Sequence, residues 1–126
     1  GYIEAILYAE GKEFGKYRVE TASDELELRI CGEKGEWGDI RFFEVCLTDR
    51  NGVLKTDWDR KITVSVEGEG VLQGFGSALM TSTENFTQGE YTTFYGRAQL
   101  AVRPVGRGKI IVKAETDGTE TLKKTF

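Results

Sequence analysis

The sequence predicts an all-β protein: an antiparallel β-sandwich preceded by a β-hairpin. Three observations carry this. Apolar residues recur with a period of two, the signature of strands buried on one face. The segments that show this period follow one another at intervals of about 8–12 residues with polar turns between them, the rhythm of a sandwich. No segment holds a helical period, and sixteen glycines against one proline suit a chain of many tight turns.

The elements follow in order. "YIEAILYA" (Tyr2–Ala9) alternates, with Ile3, Ala5 and Leu7 on one side. "EGKEFG" reads as a turn into "KYRVET" (Lys16–Thr21), which completes a hairpin. "ASDE" is a polar break, and it divides the chain into residues 1–22 and a domain of residues 23–126. In that domain "LELRI" points Leu26, Leu28 and Ile30 inward, and after the polar "GEKGEWGD" the strand Ile40–Thr48 buries Phe43, Val45 and Leu47. "DRNG" turns the chain, since Asn-Gly tolerates positive φ. "KITVSVE" buries Ile62, Val64 and Val66, and "GEG" turns into "VLQGFG". "AQLAVRP" buries Ala98, Leu100 and Val102; "KIIVKAE" buries Ile110, Val112 and Ala114; "TLKKTF" points Leu122 and Phe126 inward.

Between them, Gly74–Ala98 stops alternating yet keeps Phe75, Leu79, Phe86, Tyr91, Phe94 and Tyr95. Unstructured connections longer than about 12–15 residues are uncommon in compact domains. The expected account is a long connection whose aromatics, chiefly Phe86 and Phe94, fold over an end of the core, with Gly89 and Gly96 supplying turns.

Composition excludes several function classes. The 126 residues make one domain with a piece of a neighbour, and their net charge is −4, from 17 basic and 21 acidic side chains. No basic stripe is present for nucleic acid, since Lys123–Lys124 reads as a solvated strand face. No apolar run approaches a membrane span, and Glu4 interrupts the first apolar stretch, against a signal-peptide pattern. The chain has no histidine, which removes the commonest general base, Ser/His and Cys/His nucleophile pairs, and His-ligated zinc. Cys31 and Cys46 both fall on the polar phase of their strands and are expected as free thiols, without the cationic partner that would activate them.

The remaining chemistry is sparse. No two of the acids stand out as the carboxyl pair of a glycosidase. "DRNG" with Asp57 and Asp59 offers oxygens, but not the ligand frame of a calcium loop. "NFT" (Asn85–Thr87) fits a glycosylation sequon, relevant only in a eukaryotic secretory pathway. "GEGVLQG" leads into a strand rather than a helix, so it cradles no dinucleotide. Trp37, Trp58, Phe86, Tyr91 and Tyr95 are the candidates for contact with a sugar or a neighbouring domain, because aromatic side chains combine a large apolar face with, in Trp and Tyr, a polar tip. No catalytic, cofactor or metal residue is assigned.

Asp39–Ala78, "DIRFFEVCLTDRNGVLKTDWDRKITVSVEGEGVLQGFGSA", then "TENF", "FYGRAQLAVRP" and "GKIIVKAETDG" resemble the C-terminal immunoglobulin-like domain of bacterial family 2 glycoside hydrolases of the β-galactosidase type. The matching features are a strand ending in an Asp/Gly turn, "VxFSVxGxGxxxGxG", an acidic-aromatic loop and a "GRAxxxVR" strand. "YAEGKEFGKYRVETAS" (Tyr8–Ser23) resembles the end of the preceding immunoglobulin-like domain in the same enzymes. Two departures stand out. Ser77-Ala78-Leu79-Met80 replaces the "NGDP" of many relatives, so no role of that Asn or Asp carries over, and Trp58 stands where relatives often have a small residue.

The resemblance implies an immunoglobulin-like sandwich that is a non-catalytic accessory domain, with the two catalytic glutamates in a separate TIM barrel of about 250 residues. Its partners would be the other domains of the parent glycosidase, without a cofactor. Two alternatives stay open: a carbohydrate-binding module of the same enzyme, with its aromatics lined up on one face, and an adhesin-type immunoglobulin-like repeat. The hairpin 1–22, its apolar face lacking a partner sheet, is expected either to dock on the sandwich or to drive a dimer of the fragment.

Overall fold

The computed structural model describes residues 1–32, 36 and 38–126. Among them are ten strands: β1 (Tyr2–Ala9), β2 (Lys12–Glu20), β3 (Glu27–Gly32), β4 (Arg41–Thr48), β5 (Lys61–Gly68), β6 (Gly70–Gly76), β7 (Glu90–Thr92), β8 (Arg97–Pro104), β9 (Ile110–Glu115) and β10 (Leu122–Thr125). β1 and β2 pair only with each other. The others form two four-stranded sheets, ordered β10-β9-β5-β7 and β3-β4-β8-β6. Every pairing is antiparallel. The result is an immunoglobulin-like sandwich.

Alternation decides which side chains meet between the sheets. Phe43 pairs with Leu100 and Val45 with Ala98 in one sheet; Val64 pairs with Ala114 and Ile62 with Tyr91 in the other. All are buried, with Leu28, Ile30, Leu47, Phe75, Val102, Ile110 and Val112. Each such apolar side chain removed from water contributes on the order of 1.5–3 kcal/mol before conformational entropy is charged against it. Leu26, Val66, Leu122 and Phe126 pack partly buried around this centre.

The two lateral openings of the sandwich are closed differently. On the β3/β10 side the Lys124 ammonium donates to the Ile30 carbonyl at 2.9 Å, and the Phe126 ring lies 4.6 Å from that of Phe43. On the β6/β7 side the Ser77 hydroxyl donates to the Thr92 carbonyl at 2.7 Å. There the Phe86 ring stacks on Tyr91 at 5.0 Å and 8°.

Three expectations need correction. Gly74–Ala98 is not one connection, because it contains β7, which pairs with β5 and brings Tyr91 opposite Ile62. Three residues are too few for a period of two to register. The hairpin turn is not "EGKEFG" but Glu10–Gly11, with φ of 51° and 76°, the paired positive values of a type I′ turn; Lys12–Gly15 belong to β2. The cysteines, by contrast, are the free thiols expected, Cys31 exposed and Cys46 pointing away from the core but only 8% exposed. Finally, of the two outcomes expected for the hairpin, docking on the sandwich is not seen among the described residues. Ile3 is 78% exposed and Leu7 60%, and they share a face with Tyr17 and Val19, also exposed.

Candidate functional site

The outer face of the β3-β4-β8-β6 sheet carries a groove, and the sheet register builds its floor. Outward residues line up in rows: Phe42 opposite Ala101 opposite Gly74, then Glu44 opposite Gln99 opposite Gly76. On β6 those positions are glycines, so the sheet surface drops away beside β8. At Gly76 the Phe86 ring occupies the space instead, since a Cβ there would come within 2.2 Å of it. The groove is an open cleft of about 680 Å³, walled by Phe42, Phe86, Phe94 and Tyr95, with Glu44, Ser77, Arg97 and Gln99 among its polar lining.

Tyr95 owes its place to an unusual turn. β7 and β8 are joined across Phe94–Arg97 by reciprocal backbone hydrogen bonds of 2.9 and 3.2 Å. Tyr95 has φ of 50° and Gly96 of 73°, the type I′ pattern in which Asn, Asp or Gly normally fills the first position. A bulky side chain in the left-handed region costs roughly 1–2 kcal/mol. The turn is held from outside: the Asp59 carboxylate accepts the Gly96 N–H and the Thr93 hydroxyl, each at 3.0 Å. The Tyr95 ring meets Phe94 edge-on at 4.6 Å and remains 59% exposed.

Polar groups at the groove are engaged with one another. Arg97 lies 3.4 Å from the Glu44 carboxylate, which also accepts the Cys46 thiol at 3.0 Å. Burial, reinforced by that carboxylate, pushes the Cys46 thiol up to about 12. It stays protonated and is no nucleophile.

The other acids that drew attention in the sequence brace loops. Asp49 accepts the Ser23 N–H at 3.0 Å and the Val53 N–H at 2.9 Å, and these bonds hold its carboxyl below the usual range. Glu84 of "TENF" accepts the Thr92 N–H and hydroxyl at 3.1 and 3.0 Å and the Ser82 hydroxyl at 2.7 Å. Burial would raise its pKa, but these donors and Lys61 prevail and lower it. Asn85 accepts both the N–H and the hydroxyl of Thr87, forming a local turn. Among the described residues no three acidic or thiol side chains converge to hold a metal ion.

Of the aromatics singled out in the sequence, Phe86 and Tyr95 meet at the groove. Tyr91 does not. It is 2% exposed and belongs to the core, so it is no surface contact. Trp58 lies elsewhere, with the Lys55 ammonium 4.5 Å and the Arg60 guanidinium 5.3 Å from its ring. Trp37 lies outside the described residues. Sequence reasoning missed Phe42, Glu44, Arg97 and Gln99. One signal was there: Phe42 is an apolar residue on the polar phase of β4, 42% exposed.

A family model described as glycoside hydrolase family 2 C-terminal domain 5 matches residues 32–125. The chain belongs to this family. It is 25% identical over 123 residues to the β-galactosidase BoGH2A of Bacteroides ovatus, covering 94% of the chain and 14% of that protein. A solved glycosyl hydrolase family 2 member from Bacteroides cellulosilyticus superposes with a TM-score of 0.88 at 26% identity, over 99% of this chain and 18% of that one. A β-glycosidase from Bacteroides vulgatus shares the fold, with a TM-score of 0.89 at 19% identity over 99% of this chain and 17% of that one. The chain thus spans less than one fifth of these relatives. The family match leaves out β1 and β2.

Proposed function

We propose that residues 23–126 are a non-catalytic accessory domain of a larger, β-galactosidase-like family 2 glycoside hydrolase. The observation that carries this is the domain 5 match combined with the small share, 14%, of the β-galactosidase that the chain covers. The electrostatics support it. A glycosidase needs one carboxyl kept protonated by a raised pKa. Among the described residues the displaced carboxylates, Asp49, Glu67, Glu84 and Glu115, are all displaced downward, by hydrogen bonds and by lysines. In this reading the chemistry belongs to a barrel elsewhere in the polypeptide.

In this reading residues 1–22 end the preceding immunoglobulin-like domain, and the exposed face of Ile3, Leu7, Tyr17 and Val19 is completed by that domain's sheet. The test compares the parent polypeptide with a form that stops at Ala22. The accessory role predicts that turnover of a nitrophenyl β-galactoside survives within a few-fold while thermal inactivation quickens. Complete loss of turnover in a truncated enzyme that remains folded would overturn it.

A further inference from the structure

We propose that the groove on the outer face of the β3-β4-β8-β6 sheet binds a hexopyranose unit of a glycan, with Tyr95 as the stacking platform. This goes beyond the accessory role, which stands whether or not the domain binds sugar.

Three independent observations converge. The first is conformational. Tyr95 occupies a left-handed position that Asn or Gly would fill without strain, and its ring is left 59% exposed at the groove. Strain retained by a residue whose side chain is mostly outside the fold points to use of that side chain. The second is shape. Gly74 leaves the floor open, and at Gly76 the Phe86 ring takes the place a side chain would fill and becomes a wall of the depression. The resulting volume of about 680 Å³ falls within the range of small-ligand clefts, about 300–1,000 Å³.

The third is chemistry. Phe42, Phe86 and Tyr95 present exposed apolar rings, while Glu44, Gln99 and Arg97 stand at the same groove. Such a set suits a ligand with one flat C–H face and hydroxyls around its edge. The rings take the C–H face, the Glu44 carboxylate accepts from hydroxyls, Arg97 donates to them, and the Gln99 amide does both. A purely apolar peptide would instead bury the Glu44–Arg97 pair at 3.4 Å without replacing its water, which is costly.

The test is a backbone-amide NMR titration of the 126-residue chain with methyl β-D-galactopyranoside, methyl β-D-glucopyranoside and a β-galacto-oligosaccharide. Single-site sugar affinity near the millimolar range is expected, so titration runs to roughly 50 mM. Shifts are predicted at Phe42, Tyr95, Arg97 and Gln99, and none at Trp58. Tyr95→Asn should weaken binding about tenfold while leaving the thermal midpoint unchanged or higher, because Asn favours the turn. Gln99→Ala, at an exposed site, should also weaken binding without affecting folding. Absence of groove shifts with all three sugars overturns the proposal. So do undiminished shifts in Tyr95→Asn, or a Tyr95→Asn chain that is less stable, since the ring would then serve packing.

Discussion

Asp49 and Lys55 grip opposite sides of one residue. The Asp49 carboxylate accepts the Ser23 N–H at 3.0 Å, and the Lys55 ammonium donates to the Ser23 carbonyl. Both side chains are nearly inaccessible, at 2% and 3% exposure. Ser23 is where the chain leaves the hairpin for the sandwich, so two buried polar groups anchor that joint. Buried polar groups are tolerated where they find partners, as these two do.

Removing one partner should therefore cost more than a surface change. Lys55→Met keeps the aliphatic stem but leaves the Ser23 carbonyl without its donor. We expect a loss of about 1–3 kcal/mol, the range for a buried group left unpaired. Urea denaturation measures it, and hydrogen exchange at residues 22–25 should quicken selectively.

Tyr91 and Trp58 should separate core from surface. Tyr91 is 2% exposed, opposite Ile62 and stacked on Phe86. Tyr91→Ala should destabilise the sandwich by about 3–5 kcal/mol, as for other large-to-small aromatic truncations. Trp58→Ala, at a side chain 36% exposed, should cost clearly less in the same denaturation experiment.

Acid should loosen the loop that carries Phe86. Glu84 has an ordinary pKa of 4.5, lowered in the folded chain. A depressed folded pKa means the stabilisation is complete above 4.5 and is lost as pH falls through the folded value. The amide of Thr92, which donates to that carboxylate at 3.1 Å, should lose exchange protection across that window. In Glu84→Gln the protection should be lower at neutral pH and vary less with acid.

The hairpin should make the isolated chain associate. Ile3, Leu7, Tyr17 and Val19 form an exposed apolar face on a two-stranded ribbon, and such faces invite pairing. Sedimentation should show concentration-dependent dimer, and Ile3→Lys with Leu7→Lys should return a monomer. A wild-type chain that is monomeric, with fast exchange across Ile3–Leu7, would remove this expectation.

The core was legible because a period of two is a strong signal over six to eight residues: Phe43, Val45 and Leu47 in β4 and Ile110, Val112 and Ala114 in β9 all lie where alternation puts them. β7 was not legible, since three residues show no period and only its pairing with β5 defines it. The groove was half legible. Phe86 and Tyr95 stood out as aromatics in a polar loop, but their meeting with Phe42 depends on register across β4, β8 and β6. The burial of Cys46 likewise depends on what covers the outer face near Glu44 and Arg97, which alternation along one strand cannot reveal.

If the domain is accessory, as proposed, the folded chain turns over no glycoside on its own. The direct measurement is turnover of nitrophenyl β-galactoside and β-glucuronide by the purified, folded chain. The account predicts no rate above the uncatalysed background. A clear rate, abolished by replacing a single carboxylate, would contradict it.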